Sequence, residues 1–138
     1  MTNPDSSDIV VVDTDVVSFI FKKDTRAALY KPHLTHRLNI VSAQTRAELE
    51  KWTLLHNWGT KRKSELREFL ADFFFAAADE EVSVCCAEIQ THSIKNGRPI
   101  SCADSWVAAT ALAYDVPLVT HNPNDFINVP NLNVITEK

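Results

Sequence analysis

VVVDTDVV, residues Val10–Val17, sets two aspartates directly after an apolar, β-branched run that begins at Ile9. A continuous run of this length suits a strand buried on both faces, as in a parallel sheet covered by helices. A carboxylate costs free energy to bury unless it is paired, hydrogen-bonded or holding a metal. The fold and the chemistry therefore both turn on why Asp13 and Asp15 stand where this strand ends.

Working outward, strand-like and helix-like segments alternate. Thr14–Phe21 reads as a short helix. Asp24 caps a second one through Leu29, ended by Pro32. Residues 39–41 form a brief strand. Ser42 then caps a long helix to Trp58, with Ala47, Leu54 and Trp58 on its inner side and Gly59 as its stop. Ser64 opens another helix carrying Leu66, Phe69, Leu70 and Phe73, and residues 74–78 extend as a strand. Asp79 caps a helix with Val82, Cys86 and Ile89 on one face. KNGRP is a turn. Ser101 or Cys102 starts an alanine-rich helix to Tyr114. Residues 117–120 and 132–135 are the last strands, with HNPNDF as a loop between them. Strands separated by helices predict an α/β three-layer sandwich: a central, mostly parallel sheet of four to five strands flanked by helices.

The chain has 138 residues, 45% of them apolar. That suits one domain, here expected over residues 9–138 after a polar leader at residues 1–8. The leader lacks the charge and apolar pattern of a signal peptide. The apolar runs IVVV and FFFAAA fall far short of the ~20 residues of a membrane span. The three cysteines, Cys85, Cys86 and Cys102, lack CxxC spacing. They read as small core residues of a cytoplasmic protein, not as a zinc or redox site. Two glycines leave no glycine-rich phosphate cradle. The net charge of −4 gives no overall basic footprint, and Lys22-Lys23-Arg26 and Lys61-Arg62-Lys63 read as solvated helix ends.

Ligands of open parallel sheets bind beyond the carboxyl ends of the strands. Asp13 ends the first strand there. Glu48 lies in the helix after the second, Asp104 in the first turn of the alanine-rich helix, and Asp125 in the loop after LVT. Singly, each has an ordinary explanation as a cap, a dipole partner, an exposed helix residue or an Asx turn. Together they make an oxygen cage that suits Mg²⁺ or Mn²⁺ and would repel itself without a cation. A divalent ion there lowers the pKa of water and offsets charge developing on a phosphate. Thr14 and Ser105 are expected to donate to neighbouring carboxylates, and Thr120 and Asn122 to support the metal's water shell. Asp15 either joins the rim or only starts its helix. Glu88 is read as surface, His33 and His36 as loop histidines, and His121 as close to the site.

IVVVDTDVVSF, SAQTRAELE, KNGRPISCADSWVAATALA and LVTHNPNDF, in that order, resemble the PIN-domain ribonucleases, and among them the VapC-type toxins of bacterial toxin–antitoxin pairs. The third and fourth stretches together are the specific signal. The resemblance implies that Asp13, Glu48, Asp104 and Asp125 are catalytic and hold one or two Mg²⁺ or Mn²⁺ ions. It implies endonucleolytic cleavage of RNA, a homodimer, and an antitoxin partner that blocks the site. The chain departs from the pattern in its polar leader and in Asp115-Val116-Pro117, where glycine is frequent. Some relatives place the last acid nearer Asn122. Two alternatives stand beside this reading. VVVDTDVV also fits an aspartyl phosphatase of the haloacid-dehalogenase type, with Asp13 as nucleophile and Asp15 as acid/base. The chain could also be a PIN-like domain that binds RNA or protein without cutting.

Overall fold

The computed structural model describes residues 7–138, so the expected leader lies outside the described residues except for Ser7 and Asp8. Those two are bonded to the sheet: the Asp8 carbonyl accepts from Leu38 N–H at 2.9 Å, and the Ser7 hydroxyl donates to the Ile9 carbonyl at 2.8 Å.

Five parallel strands, β1 (Ile9–Val12), β2 (Leu38–Ser42), β3 (Phe74–Ala76), β4 (Leu118–Val119) and β5 (Val134–Ile135), lie in the order β3-β2-β1-β4-β5. Around them run α1 (Thr14–Lys22), α2 (Ala27–Leu34), α3 (Ala43–Leu55), α4 (Thr60–Leu70), α5 (Glu80–Lys95) and α6 (Cys102–Tyr114). The three-layer α/β sandwich is therefore as the sequence predicts. No helix among the described residues is long and apolar enough to cross a membrane.

The period of two along β1 divides the core. Val10 and Val12 join Val17, Tyr30, Leu49, Leu66 and Leu70 on the face covered by α1–α4. Val11 joins Ile40, Val82, Ile89, Val107 and Ala108 beneath α5 and α6. Burying one such side chain contributes about 1.5–3 kcal/mol. Small residues at Ala108, Ala109 and Ala111 let α6 lie close against the sheet.

Four local expectations are corrected. Pro32 does not end α2. The turn built on Asp24, which accepts from Arg26 N–H at 2.9 Å and from Ala27 N–H through its carbonyl at 2.9 Å, delays the helix to Ala27, and Pro32 lies inside it. Gly59 is not the stop of α3. Asn57, at φ 52°, makes that break, and Gly59 caps α4, which starts at Thr60 and not at Ser64. The inner face of α3 is Thr45, Leu49 and Thr53, while Ala47 is exposed and Leu54 is 68% exposed. Cys102 is exposed at the start of α6, Cys85 is half-buried, and only Cys86 is a core residue; all three are free thiols. Asp79 does cap α5, accepting from Val82 N–H at 3.0 Å.

Candidate active site

The chain builds β1, β2 and β3 outward on one side, then crosses back to place β4 and β5 on the other. The order thus reverses between β1 and β4, and a crevice opens at their carboxyl ends. Three helix N-termini converge on this edge, those of α1, α3 and α6, each bringing the positive end of its dipole.

Asp13 follows three fully buried valines and is itself only 9% exposed. One carboxylate oxygen accepts from Thr14 N–H at 2.8 Å, which makes Asp13 the N-cap of α1. The other accepts from the Thr120 hydroxyl at 2.8 Å, across the switch point. Burial, then the charge of Asp15, pushes the Asp13 carboxyl up to about 7; the Thr120 and Thr14 bonds oppose the rise and Asp104 adds to it.

Asp15 stands in the first turn of α1. It accepts from Val16 N–H at 2.7 Å, His121 N–H at 3.1 Å and the Asn122 side-chain amide at 2.8 Å. Burial raises its pKa, and these bonds resist the rise. Its carboxylate anchors the loop after β4 to α1.

Asp104 lies in the first turn of α6, where its N–H donates to the Ser101 hydroxyl at 3.0 Å. Its pKa is raised, first by burial and then by the charges of Asp125, Glu48 and Asp15, against the Ser101 bond. Glu48, half-buried in the second turn of α3, has one oxygen held by the Gln44 amide at 2.9 Å. Asp125 is exposed in the 3-10 turn Pro123–Phe126, its N–H donating to the Asn122 carbonyl at 3.1 Å.

Of the expected supporting residues, Thr120 contacts a carboxylate directly, and Asn122 binds Asp15. The Thr14 hydroxyl instead donates to the Thr45 hydroxyl at 2.9 Å, tying the starts of α1 and α3 together. The Ser105 hydroxyl donates to the Ser101 carbonyl at 2.8 Å, as a buried helix serine commonly does. Both correct the expectation that these hydroxyls donate to the acids. His33 is also corrected: it lies in α2, and its Nε2 meets Glu137 at 2.8 Å. His36 is exposed and Glu88 lies on the surface.

Residues that the sequence reading passed over complete the surroundings. Gln44 and Glu48 are one helical turn apart, a spacing that could have flagged their bond. Tyr30, fully buried, shares a hydrogen bond between its hydroxyl and His121 Nδ1 and receives the Glu137 N–H at 3.1 Å. Phe19 and Tyr30 meet the His121 ring edge to face. This pins the backbone that Asp15 engages, and no local pattern announces it.

The oxygen-only donor set suits a hard divalent cation. Among the described residues, no three His, Cys, Asp or Glu side chains stand near enough to enclose an ion as they are placed. A magnesium ion does not need three, because it commonly takes one or two carboxylates and completes its shell with water and phosphate. Acids held above their ordinary pKa by burial and mutual repulsion are what a cation would relieve. The donor set fits such an ion.

Comparison with known proteins agrees with the architecture. The PIN domain profile matches residues 10–132. The fold is similar to that in the crystal structure of VapBC2 from Rickettsia felis bound to a DNA fragment from its promoter, with a TM-score of 0.81 and 22% identity over 93% of this chain and 98% of that one. It is also similar to FitAcB from Neisseria gonorrhoeae, with a TM-score of 0.77 and 26% identity over 92% and 96% of the two chains. DNA-bound VapBC from Salmonella typhimurium gives a TM-score of 0.77 at 19% identity over 92% and 96%. No curated protein sequence matches the chain.

Proposed function

The chain belongs to the PIN-domain family, and on that premise we propose that it is a divalent-metal-dependent endoribonuclease, the toxin of a type II toxin–antitoxin pair acting in the cytoplasm. One observation carries the reading: Asp13 is buried at the switch point of a parallel sheet, and Asp104, near enough to raise its pKa, lines one cavity together with Asp125.

Asp13 and Asp104 would hold the Mg²⁺ or Mn²⁺ ion, with Asp125 supporting it or a second one. When bound, such an ion supplies a lowered pKa for the attacking water and positive charge for the phosphate. Asp13, raised to about 7, would give up its proton to hold it. Glu48, steadied by Gln44, is placed to accept a proton from the attacking water. Thr120 orients Asp13, and Asn122 steadies Asp15. The alternative of an aspartyl phosphatase needs Asp15 as a mobile proton donor, and its three hydrogen bonds argue against that role.

The similarity to proteins solved as VapBC complexes supports an antitoxin as partner, and the family resemblance supports a homodimer. The test is incubation of total cellular RNA with the chain in Mg²⁺, Mn²⁺ and EDTA, followed by mapping of the new ends. Cleavage should need the ion and vanish in Asp104→Asn. Cleavage of equal rate by that variant would place the chemistry elsewhere.

A further inference from the structure

Beside Asp104 and Asp125 lies a cavity of about 280 Å³ whose polar wall also includes Arg98, Ser101, Asn124 and Asn128. Ile89 and Val129 give it an apolar floor. A second hollow of about 180 Å³ adjoins it, reaching His92 and Asn96. Ser93, Arg98 and Asn128 line both, so these residues stand between two neighbouring compartments, the first of which is also lined by Asp104 and Asp125.

The divider is held from both sides. Gly97 takes a left-handed backbone at φ 61°, where a side chain would be strained, and so turns the chain sharply after α5. Ser93 then clamps the turn twice: its carbonyl accepts from Arg98 N–H at 3.0 Å, and its buried hydroxyl donates to the Arg98 carbonyl. The Arg98 guanidinium donates to the Asn128 side-chain carbonyl at 2.8 Å. The turn before Asp104 is thereby tied to the loop that carries Asp125.

A polyanion approaching this edge meets carboxylates first. Arg98 is the cation that lines the adjoining cavity, and a guanidinium presents five donors in a fork matched to phosphate. The cavity is slightly smaller than the ~300 Å³ at which small-ligand sites begin, which suits one nucleotide's base over an apolar floor. Side-chain amides on the rim can both donate to and accept from a base edge. A cationic groove with bases seated along it is how single strands are held.

We propose that the cavity beside Asp104 and Asp125 seats the nucleotide next to the scissile phosphodiester of a single-stranded RNA, with Arg98 holding the following phosphate and Asn124 and Asn128 facing the base. This rests on the nuclease reading and adds to it a subsite and a specificity determinant.

The test measures binding apart from cleavage. A short fluorescent single-stranded RNA is titrated onto the Asp104→Asn chain in Mg²⁺ over a series of salt concentrations. Adding Arg98→Ala should weaken binding about tenfold. It should also flatten the slope of log K against log salt by about 0.7, the share of one phosphate on a single strand. Arg98→Lys should keep that slope. Asn128→Ala removes the tie and keeps the guanidinium; it should keep the slope and narrow the preference among oligo(A), oligo(C) and oligo(U). Unchanged affinity and slope in Arg98→Ala overturn the proposal, as does an equal loss of slope in Arg98→Ala and Asn128→Ala. RNA cleavage by the wild-type chain together with either result rejects the subsite alone; absence of cleavage in both Mg²⁺ and Mn²⁺ rejects the nuclease reading and the subsite with it.

Discussion

The Thr120 hydroxyl donates to the Asp13 carboxylate at 2.8 Å from a fully buried position. The two residues end neighbouring strands and are 107 positions apart in the chain. The bond favours the ionised form of a carboxyl that burial would otherwise keep protonated. Thr120→Val keeps the shape and removes the donor. It should weaken Mn²⁺ binding about 10- to 100-fold at neutral pH, measured by calorimetry, with Thr120→Ser closer to wild type. Undiminished affinity in the valine variant would separate Thr120 from the metal site.

The raised Asp13 carboxyl also gives the metal-free chain a definite pH dependence. The folded state keeps a proton up to about pH 7, whereas an ordinary aspartate loses it near 3.8. Between those values the native state binds more protons than the unfolded one, so stability falls as pH rises through this window and levels above it. The loss is on the order of a few kcal/mol, and Asp15 and Asp104, raised in the same direction, add to it. Glu50, held low by Arg67 and Arg46, works in the opposite sense below its ordinary 4.5. Urea melts in EDTA should show a less stable wild type at pH 8 than at pH 5, and a smaller difference in Asp13→Asn. Equal wild-type midpoints at the two pH values would contradict the burial of a charged Asp13.

Metal should stabilise the fold. A ligand that binds only the native state contributes about 2.7 kcal/mol at a hundredfold excess over its Kd. Thermal melts with Mn²⁺ should therefore move upward by several degrees, and the Asp13→Asn/Asp104→Asn double variant should not respond. A shift of the same size in the double variant would place the ion at other residues.

The register of α3 can be tested by two leucines. Leu49 is 2% exposed, and Leu49→Ala should cost about 2–5 kcal/mol. Leu54 is 68% exposed, and Leu54→Ala should change stability by less than about 0.5 kcal/mol. Chemical denaturation distinguishes this facing from the one that places Leu54 inward.

What could be read from the sequence follows from what is local. The β-branched run before Asp13, the capping residues Ser42 and Asp79, the helix start at Ser101 or Cys102, and the alternation of strand and helix each report a short-range preference, and all recur in the structure. The inner face of α3 misled because its buried positions include two threonines with bonded hydroxyls: Thr45 accepts from the Ser42 and Thr14 hydroxyls and Thr53 donates to the Glu50 carbonyl, so neither adds to an apolar pattern. Asp13 at the end of its strand and Asp104 in the first turn of its helix were legible. The bond from Thr120 to Asp13, the anchoring of the 120–122 loop on Asp15, and the Arg98–Asn128 tie were not. Each joins residues far apart in sequence, and only the packed sheet sets their distance.

Because β4 joins β1 directly, the crevice has no second wall until residue 119 has been made and docked. At about 5–20 residues per second of synthesis, Asp13 leaves the peptidyl-transferase centre roughly 5–20 s before Thr120 does. A ribosome partway through the message therefore carries acids that have not yet met. Whatever chemistry they perform together begins only after residue 120 has been added and docked, leaving a window in which another polypeptide, made earlier, can already be waiting.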